Sequence, residues 1–197
     1  MLPRSFFERN PVPCARDLIG CEFVWGEARG IVVETEAYDA EDDPACHTFS
    51  RPSARAFVAK HQAGAAYVYF NYGVHWMLNV LVKGNRQGFV LIRALEPVAG
   101  LDAMMLARGT NIPTQLCSGP GKLARALGVT GDDHGLDLCS DPQRCFLAAK
   151  ASLPVAVGPR IGISRAMDFP WRFHVPANRH VSHFRSQDRP RTCHDRS

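Results

Sequence analysis

The stretch Ile31-Val-Val-Glu-Thr-Glu-Ala-Tyr38 decides how the rest of the chain is read. It opens as a core strand, with three β-branched apolar residues in a row. It then sets Glu34 and Glu36 two positions apart. On an extended backbone both carboxylates share one face, and Tyr38 joins them there. A carboxylate carried into a core costs several kcal/mol unless it is paired, hydrated or used. The stretch therefore admits two readings: a strand that surfaces and shows two solvated glutamates, or one that delivers charge to a site. An acidic loop follows, Asp39-Ala-Glu-Asp-Asp-Pro44, running into Cys46-His47. The loop lacks the ligand spacing of a calcium-binding hand and reads as solvated.

Outward from this stretch, 197 residues fit one domain, long enough to bury roughly 70% of its unfolded surface. With 46% hydrophobic and 21% charged residues, the composition is that of a water-soluble globular protein. The longest apolar runs are far too short to cross a bilayer, and the first nine residues lack the apolar core of a secretory signal. A cytoplasmic protein without membrane contact is expected. The seven cysteines, at 14, 21, 46, 117, 139, 145 and 193, are odd in number, form no Cys-x-x-Cys pair and are not grouped with the histidines. That pattern argues against a disulfide framework and against a zinc site, so no metal is expected. The net charge of +4 lies wholly beyond Trp171, where six Arg meet two Asp. A basic arm of this kind suits a polyanionic partner.

The pattern predicts a loop and short helix near Ser5–Arg9, a helix over Pro13–Gly20 opened by Pro and closed by Gly, and a hairpin leading from Cys21–Trp25 into the opening strand. A helix is expected over Ser53–His61 and a second hairpin over Tyr67–Val82, with Asn71-Tyr72-Gly73 at its tight turn. Phe89–Leu95 reads as a central strand carrying an unexpected Arg93 and broken by Glu96-Pro97. An arginine in a strand is usually an ion-pair partner, here for Glu34 or Glu36. Leu101–Arg108 has helical spacing. Leu116–Gly128 is a Gly-rich turn into a helix; it lacks the Walker spacing, but Ser118, Gly119, Gly121 and Lys122 at a helix start suit one backbone phosphate. Arg160–Ile163 and Trp171–Val175 supply two more short strands. One domain is expected over residues 1–184, followed by a basic, disordered tail over 185–197.

A strand glutamate, a Tyr-rich hairpin with an aromatic at its turn, and an arginine inside a strand together suit an enzyme acting on a base withdrawn from DNA. Such enzymes flip the nucleotide, fill the gap with an inserted side chain, hold the base between aromatic faces and activate a water. The sequence also resembles the alkyladenine (3-methyladenine) DNA glycosylases, in segments spanning nearly the whole chain: Val33-Glu-Thr-Glu-Ala-Tyr38 followed by His47, Tyr67-Val-Tyr69 with Tyr72-Gly73, Asn79, Leu91-Ile-Arg-Ala-Leu-Glu-Pro97, Ser118-Gly-Pro-Gly-Lys-Leu123 and Pro159-Arg-Ile-Gly-Ile163.

The resemblance implies an α+β fold: one compact mixed domain with a curved, largely antiparallel sheet, helices packed around it and a protruding hairpin, similar to the domain attached to tRNA formyltransferases. It implies that Glu36 deprotonates the nucleophilic water and that Arg93 sits beside it. Tyr38, His47 and Tyr69 would wall the base pocket, with the His47 backbone N–H reading the base edge. Asn79 would crowd the 2-amino group of guanine, and Tyr72 would be the wedge. Arg55, Val74, His75, Ser118, Gly119 and Lys122 are the candidate contacts to the DNA backbone. Implied partners are duplex DNA carrying damaged purines (3-methyladenine, 7-methylguanine, hypoxanthine, ethenoadenine), with no cofactor, for a monomer acting near the nucleoid. One departure stands out: members commonly carry a Thr-Pro-Arg-Asn-like stretch and a Met-Phe pair after the His, whereas Ser53–His61 keeps Arg55 and loses the rest. Two alternatives come from other classes. A non-catalytic nucleic-acid binding module of the same fold would have no use for Glu36 and Arg93 together, and a glycosidase of free nucleosides would act equally on nucleosides and duplex.

Overall fold

The computed structural model describes residues 1–71 and 73–182; Tyr72 and the expected basic tail lie outside the described residues. Two short helices, α1 (Arg4–Phe7) and α2 (Pro11–Asp17), precede a hairpin of β1 (Glu22–Trp25) and β2 (Ala28–Asp39). Next come α3 (His47–Ser50), α4 (Pro52–Lys60), the hairpin β3 (Ala66–Asn71) and β4 (His75–Lys83), and then β5 (Gln87–Ala99). Helices α5 (Leu101–Arg108) and α6 (Pro120–Leu127) and the short strands β6 (Arg144–Leu147), β7 (Ala156–Gly158) and β8 (Arg172–His174) complete the fold. The strands form one eight-stranded antiparallel sheet in the order β3-β4-β5-β2-β1-β6, with β8 pairing the second half of β2, and β7 pairing β8. The expected α+β class with a curved, largely antiparallel sheet is what forms.

Strand alternation divides the labour. On β4 and β5, Leu78, Val80, Val82, Val90, Ile92 and Ala94 enter the main core. Their neighbours Leu81 and Phe89 join Tyr67, Phe57 and Val58 in a second, smaller cluster, partly covered by Tyr38 and Tyr69. In β2, Val33 and Ala37 face the main core while Thr35 donates to the Ala15 carbonyl at 2.8 Å, and Glu34, Glu36 and Tyr38 face the other way. Period-2 patterning thus puts apolar mass on one face and chemistry on the other.

Several local expectations need correction. Strand β5 continues through Glu96-Pro97 to Ala99 because β2 pairs with it as far as Arg29, so Pro97 sits in the ladder opposite Gly30 near a register shift. Arg160–Ile163 is irregular, and the strand lies just before it at β7. Strand β6, whose Cys145-Phe146 pair is buried, carried no alternation strong enough to be read. The acidic loop is not simply solvated: Asp39 and Asp43 are buried, the first paired with Arg86 and the second with Arg160, while Glu41 and Asp42 are exposed. Pro3, not Ser5, stands at the start of α1.

The closest backbone approach lies where β5 opens beside the end of β2. A Cβ on Gly88 would press into the carbonyl oxygen of Tyr38 and stand 2.8 Å from Cγ of Pro11. Gly88→Ala is therefore expected to lower stability by about 1–3 kcal/mol, an overpacking cost read as a lower denaturant midpoint in equilibrium unfolding.

Candidate active site

The centre of the concave face is a buried ion cluster assembled by a break in register. Along β2 and β5 the partners run Val32 with Leu95, Glu34 with Ala94, and Thr35 with Ile92, so Val33 and Arg93 are left without opposite numbers. Such bulges re-aim a side chain and are over-represented beside active sites. Here the bulge drives Arg93 between the two glutamates, with Nε donating to Glu34 Oε1 at 3.2 Å and Nη1 lying 3.3 Å from Glu36 Oε2. All three side chains are buried, and both carboxylates are wholly inaccessible.

The two glutamates are not equivalent. Glu34 accepts from Arg93 Nε, Arg172 Nε (2.6 Å), Ser182 N (2.8 Å) and Ser182 Oγ (2.8 Å). Three of these donors converge on Oε1, and Ser182 N alone reaches Oε2. Burial alone would raise the Glu34 carboxyl, but Arg93 and Arg172, with the Ser182 hydrogen bond, outweigh it and hold it below the ordinary carboxylate range. Glu36 has three partners: Ile161 N on Oε1 at 2.7 Å, the Tyr38 hydroxyl on Oε2 at 2.7 Å, and Arg93. Each carboxylate keeps one oxygen with a single donor, Oε2 on Glu34 and Oε1 on Glu36, but Glu34 is tied to two guanidinium groups and Glu36 to one.

Arg93 answers to both. Burial opposes its charge, but Glu36 and Glu34 reverse that effect and raise its pKa above the ordinary arginine value.

Above the ion cluster lies a cavity of about 880 Å³ whose wall includes Tyr38, His47, Arg51, Tyr69, Asn79 and Arg93. The expected base-pocket residues are therefore brought together. The edge of the His47 ring meets Tyr69 at 4.3 Å between centroids, and its Nδ1 lies 3.1 Å from the Tyr67 hydroxyl. Tyr67 is the buried member of the pair, stacked on Phe89 at 4.4 Å, and burial pushes its phenol up to about 12. Burial, followed by the nearby Glu36 charge, raises Tyr38 well above the usual phenol value, and burial raises Tyr69 likewise. Both phenols keep their protons at neutral pH. His47 heads α3, so its N–H is among the first-turn amides that have no intrahelical acceptor. Asn79 is buried and anchored by its Nδ2 on the Tyr67 carbonyl at 3.1 Å.

Two guanidinium groups that sequence reasoning did not single out lie against the tyrosines. Arg160 is buried 4.6 Å from the Tyr38 ring centroid and 5.2 Å from that of Trp171, donates to the Ala37 carbonyl at 2.9 Å, and forms a two-pronged ion pair with buried Asp43. The next residue, Ile161, donates the amide that caps Glu36, so this one pair fixes both the Tyr38 platform and the glutamate's lid. The legible signals were Asp43 in the acidic loop and Arg160 in the Pro159–Ile163 motif; their pairing across 117 positions was not. Arg51 lies 5.5 Å over the Tyr69 ring at the junction of α3 and α4.

The candidate DNA-backbone residues divide. Val74 and His75 are exposed at the hairpin, and the His75 side chain lies against Gly121 in the first turn of α6, close to exposed Lys122. Ser118 and Gly119 are buried, with Ser118 accepting from Lys122 Nζ at 3.3 Å. Arg55 stands apart on α4, where its Nη1 holds the Thr48 carbonyl at 2.6 Å.

Comparison with known proteins bears directly on this arrangement. The family model described as methylpurine-DNA glycosylase matches residues 5–179. The chain belongs to the methylpurine-DNA glycosylase family. It is accordingly a DNA glycosylase, an enzyme of DNA repair. It is 47% identical over 182 residues to an Agrobacterium fabrum protein named "Putative 3-methyladenine DNA glycosylase", covering 92% of each chain. Relatives of the same name from Granulibacter bethesdensis and Rhodopseudomonas palustris are 45% and 46% identical, over 94% and 92% of this chain and 89% and 88% of theirs. Among the described residues of this glycosylase, no helix is long and apolar enough to cross a membrane.

Two predictions follow from the charges. Burial, with the Arg51 charge second, pushes His47 down to about 4, so the folded ring is neutral at physiological pH. Between about pH 6.5 and pH 4 the unfolded chain binds a proton there that the folded one refuses. The stability contributed by neutral His47 is thus complete above pH 6.5 and declines as pH falls towards 4. Ring-proton NMR should show no His47 midpoint between pH 5 and 8, and His47→Gln should flatten the stability slope in that window. Glu34→Ala strands Arg93 and Arg172 without their shared partner and should cost about 3–5 kcal/mol in chemical unfolding.

Proposed function

We propose that this glycosylase hydrolyses the N-glycosidic bond of alkylated or otherwise damaged purines flipped from duplex DNA, leaving an abasic site. The observation that carries this reading is a buried Glu36 paired with one guanidinium, Arg93, beneath a cavity walled by Tyr38, His47 and Tyr69. Glu34 is held by two guanidinium groups and by Ser182, whereas Glu36 shares one guanidinium, so Glu36 is the carboxylate freer to take a water proton. Glu36 is reached from the cavity only past Tyr38, Arg93 and Ile161. Ile161 belongs to an irregular segment containing Gly162 at φ 76° and anchored at Arg160 by Asp43. Water admitted there meets its base and the Arg93 guanidinium together.

One carboxylate suffices for a cationic lesion such as 3-methyladenine. The base already carries positive charge and departs without further protonation, unlike the leaving group of an O-glycoside, which generally needs an acid. Glu36 then deprotonates the water while its charge stabilises the oxocarbenium-like sugar. A neutral lesion such as hypoxanthine or ethenoadenine needs a proton on the leaving base, and His47, neutral down to about pH 4, does not supply it. In this reading the His47 backbone N–H reads the base edge and Asn79 crowds a 2-amino group. Tyr72 is the intercalating wedge in this reading. Val74, His75, Ser118, Gly119 and Lys122 meet the flanking DNA backbone, Arg55 meets it separately from α4, and the enzyme acts as a monomer in the cytoplasm near the nucleoid.

Glu36→Gln keeps the shape and removes the base. Binding to lesion-bearing duplex should be retained while single-turnover base release falls by about 10²–10⁴ or more. Base release at the wild-type rate would refute the role. Abasic-site formation on alkylated duplex separates the enzyme from a non-catalytic module, and equal rates on nucleosides would favour a nucleosidase.

A further inference from the structure

Both pocket tyrosines carry a guanidinium on the ring, but the two cations differ in charge balance. Arg160 against Tyr38 is neutralised by Asp43, both side chains being fully buried. Arg51 over Tyr69 has no Asp or Glu within 4.0 Å among the described residues. Its charge reaches into the cavity it lines, where it is the second influence lowering His47 after burial and the one charge opposing the upward push of burial on Tyr67. The Glu34–Arg93–Glu36–Arg172 cluster beneath carries two negative and two positive groups in mutual contact and so contributes little net field. Arg165 also lines the cavity without an ion pair among the described residues, but of the two it is Arg51 that lies over an aromatic wall.

An aromatic face attracts a cation through its quadrupole, so bare tyrosines would favour a cationic base over a neutral one. A guanidinium already on the ring uses part of that attraction and repels a second positive charge across it. A base held in the cavity against Tyr69 would place its charge within about 9 Å of Arg51, from ring-stacking distances. Two unit charges at that separation, in the intermediate dielectric of a half-open pocket, shift a binding ratio by about three- to tenfold.

We propose that Arg51 is a specificity-determining residue that lowers the preference of this pocket for cationic over neutral damaged purines. The inference rests on the base-excision reading above and sharpens it, since it assigns charge selection to a residue outside the catalytic set. Arg51 is exposed and makes no side-chain hydrogen bond among the described residues, so replacing it leaves the core intact.

The test uses the full-length enzyme on duplexes carrying a single 7-methylguanine, which is cationic, or a single hypoxanthine, which is neutral. Single-turnover excision and equilibrium binding are measured for wild type, Arg51→Met and Arg51→Lys. The expected result is a cationic-to-neutral ratio raised about three- to tenfold in Arg51→Met and left near wild type in Arg51→Lys, which keeps the charge. A ratio unchanged in Arg51→Met overturns the proposal. So does an equal loss on both duplexes with a salt dependence shallower by about one charge, the signature of a phosphate contact. A wild-type enzyme that frees neither base overturns the excision reading, whereas excision of both with an unmoved ratio overturns only the role of Arg51.

Discussion

The sharing of one buried guanidinium between two buried carboxylates is the constraint on which this protein's architecture turns. Arg93 cannot be desolvated without counter-charge, Glu36 has no other cation within ion-pair distance among the described residues, and Glu34 divides its charge between Arg93 and Arg172. Satisfying all three requires the bulge between β2 and β5, since a regular ladder would have paired Arg93 and turned its side chain to the face set by strict alternation. The bulge in turn requires further donors for Glu34, and those arrive from the C-terminal part of the described chain, through Arg172 on β8 and Ser182 beyond it. Distant segments are thereby tied to the centre of the sheet by the need to neutralise a strand's own charges.

The second organising contact, Asp43 with Arg160, works outward from the same place. It converts part of an acidic loop into a buried anchor and seats the Pro159–Ile163 segment over Glu36. The aromatic wall and the carboxylate beneath it are consequently supported by one ion pair, so precision at the glutamate and orientation of Tyr38 come from the same source. The opposite wall has a different logic. His47 and Tyr69 meet edge to face and rest on the Tyr67–Phe89 stack, an apolar support that needs no charge balance.

What could be read from the amino acids was whatever local spacing controls. The alternation Glu34-x-Glu36-x-Tyr38 placed three side chains on one face, and Tyr67-x-Tyr69 placed two more; both hold. Both hairpins and the four longest helices are where patterning put them, within a few residues at their ends. Long-range charge pairing was not readable. Nothing local distinguishes Asp43, wholly buried, from Asp42, which is exposed, because the difference is made by an arginine 117 positions away. Pro97 misled for a related reason: a proline stops a strand only where its missing N–H is needed, and beside the Gly30 irregularity it is not. Arg51 escaped notice because its setting is created by a ring on a strand that follows it in sequence.

The two-faced character of β4 and β5 has a consequence for how this enzyme can change. Met77, Asn79 and Leu91 line the cavity, while Leu78, Val80 and Val90 between and beside them hold the main core. Successive codons thus answer to different selective demands, one to recognition and the next to folding. Lesion range can drift through the first set without eroding the second, so the same pleat that builds the pocket also makes it evolvable.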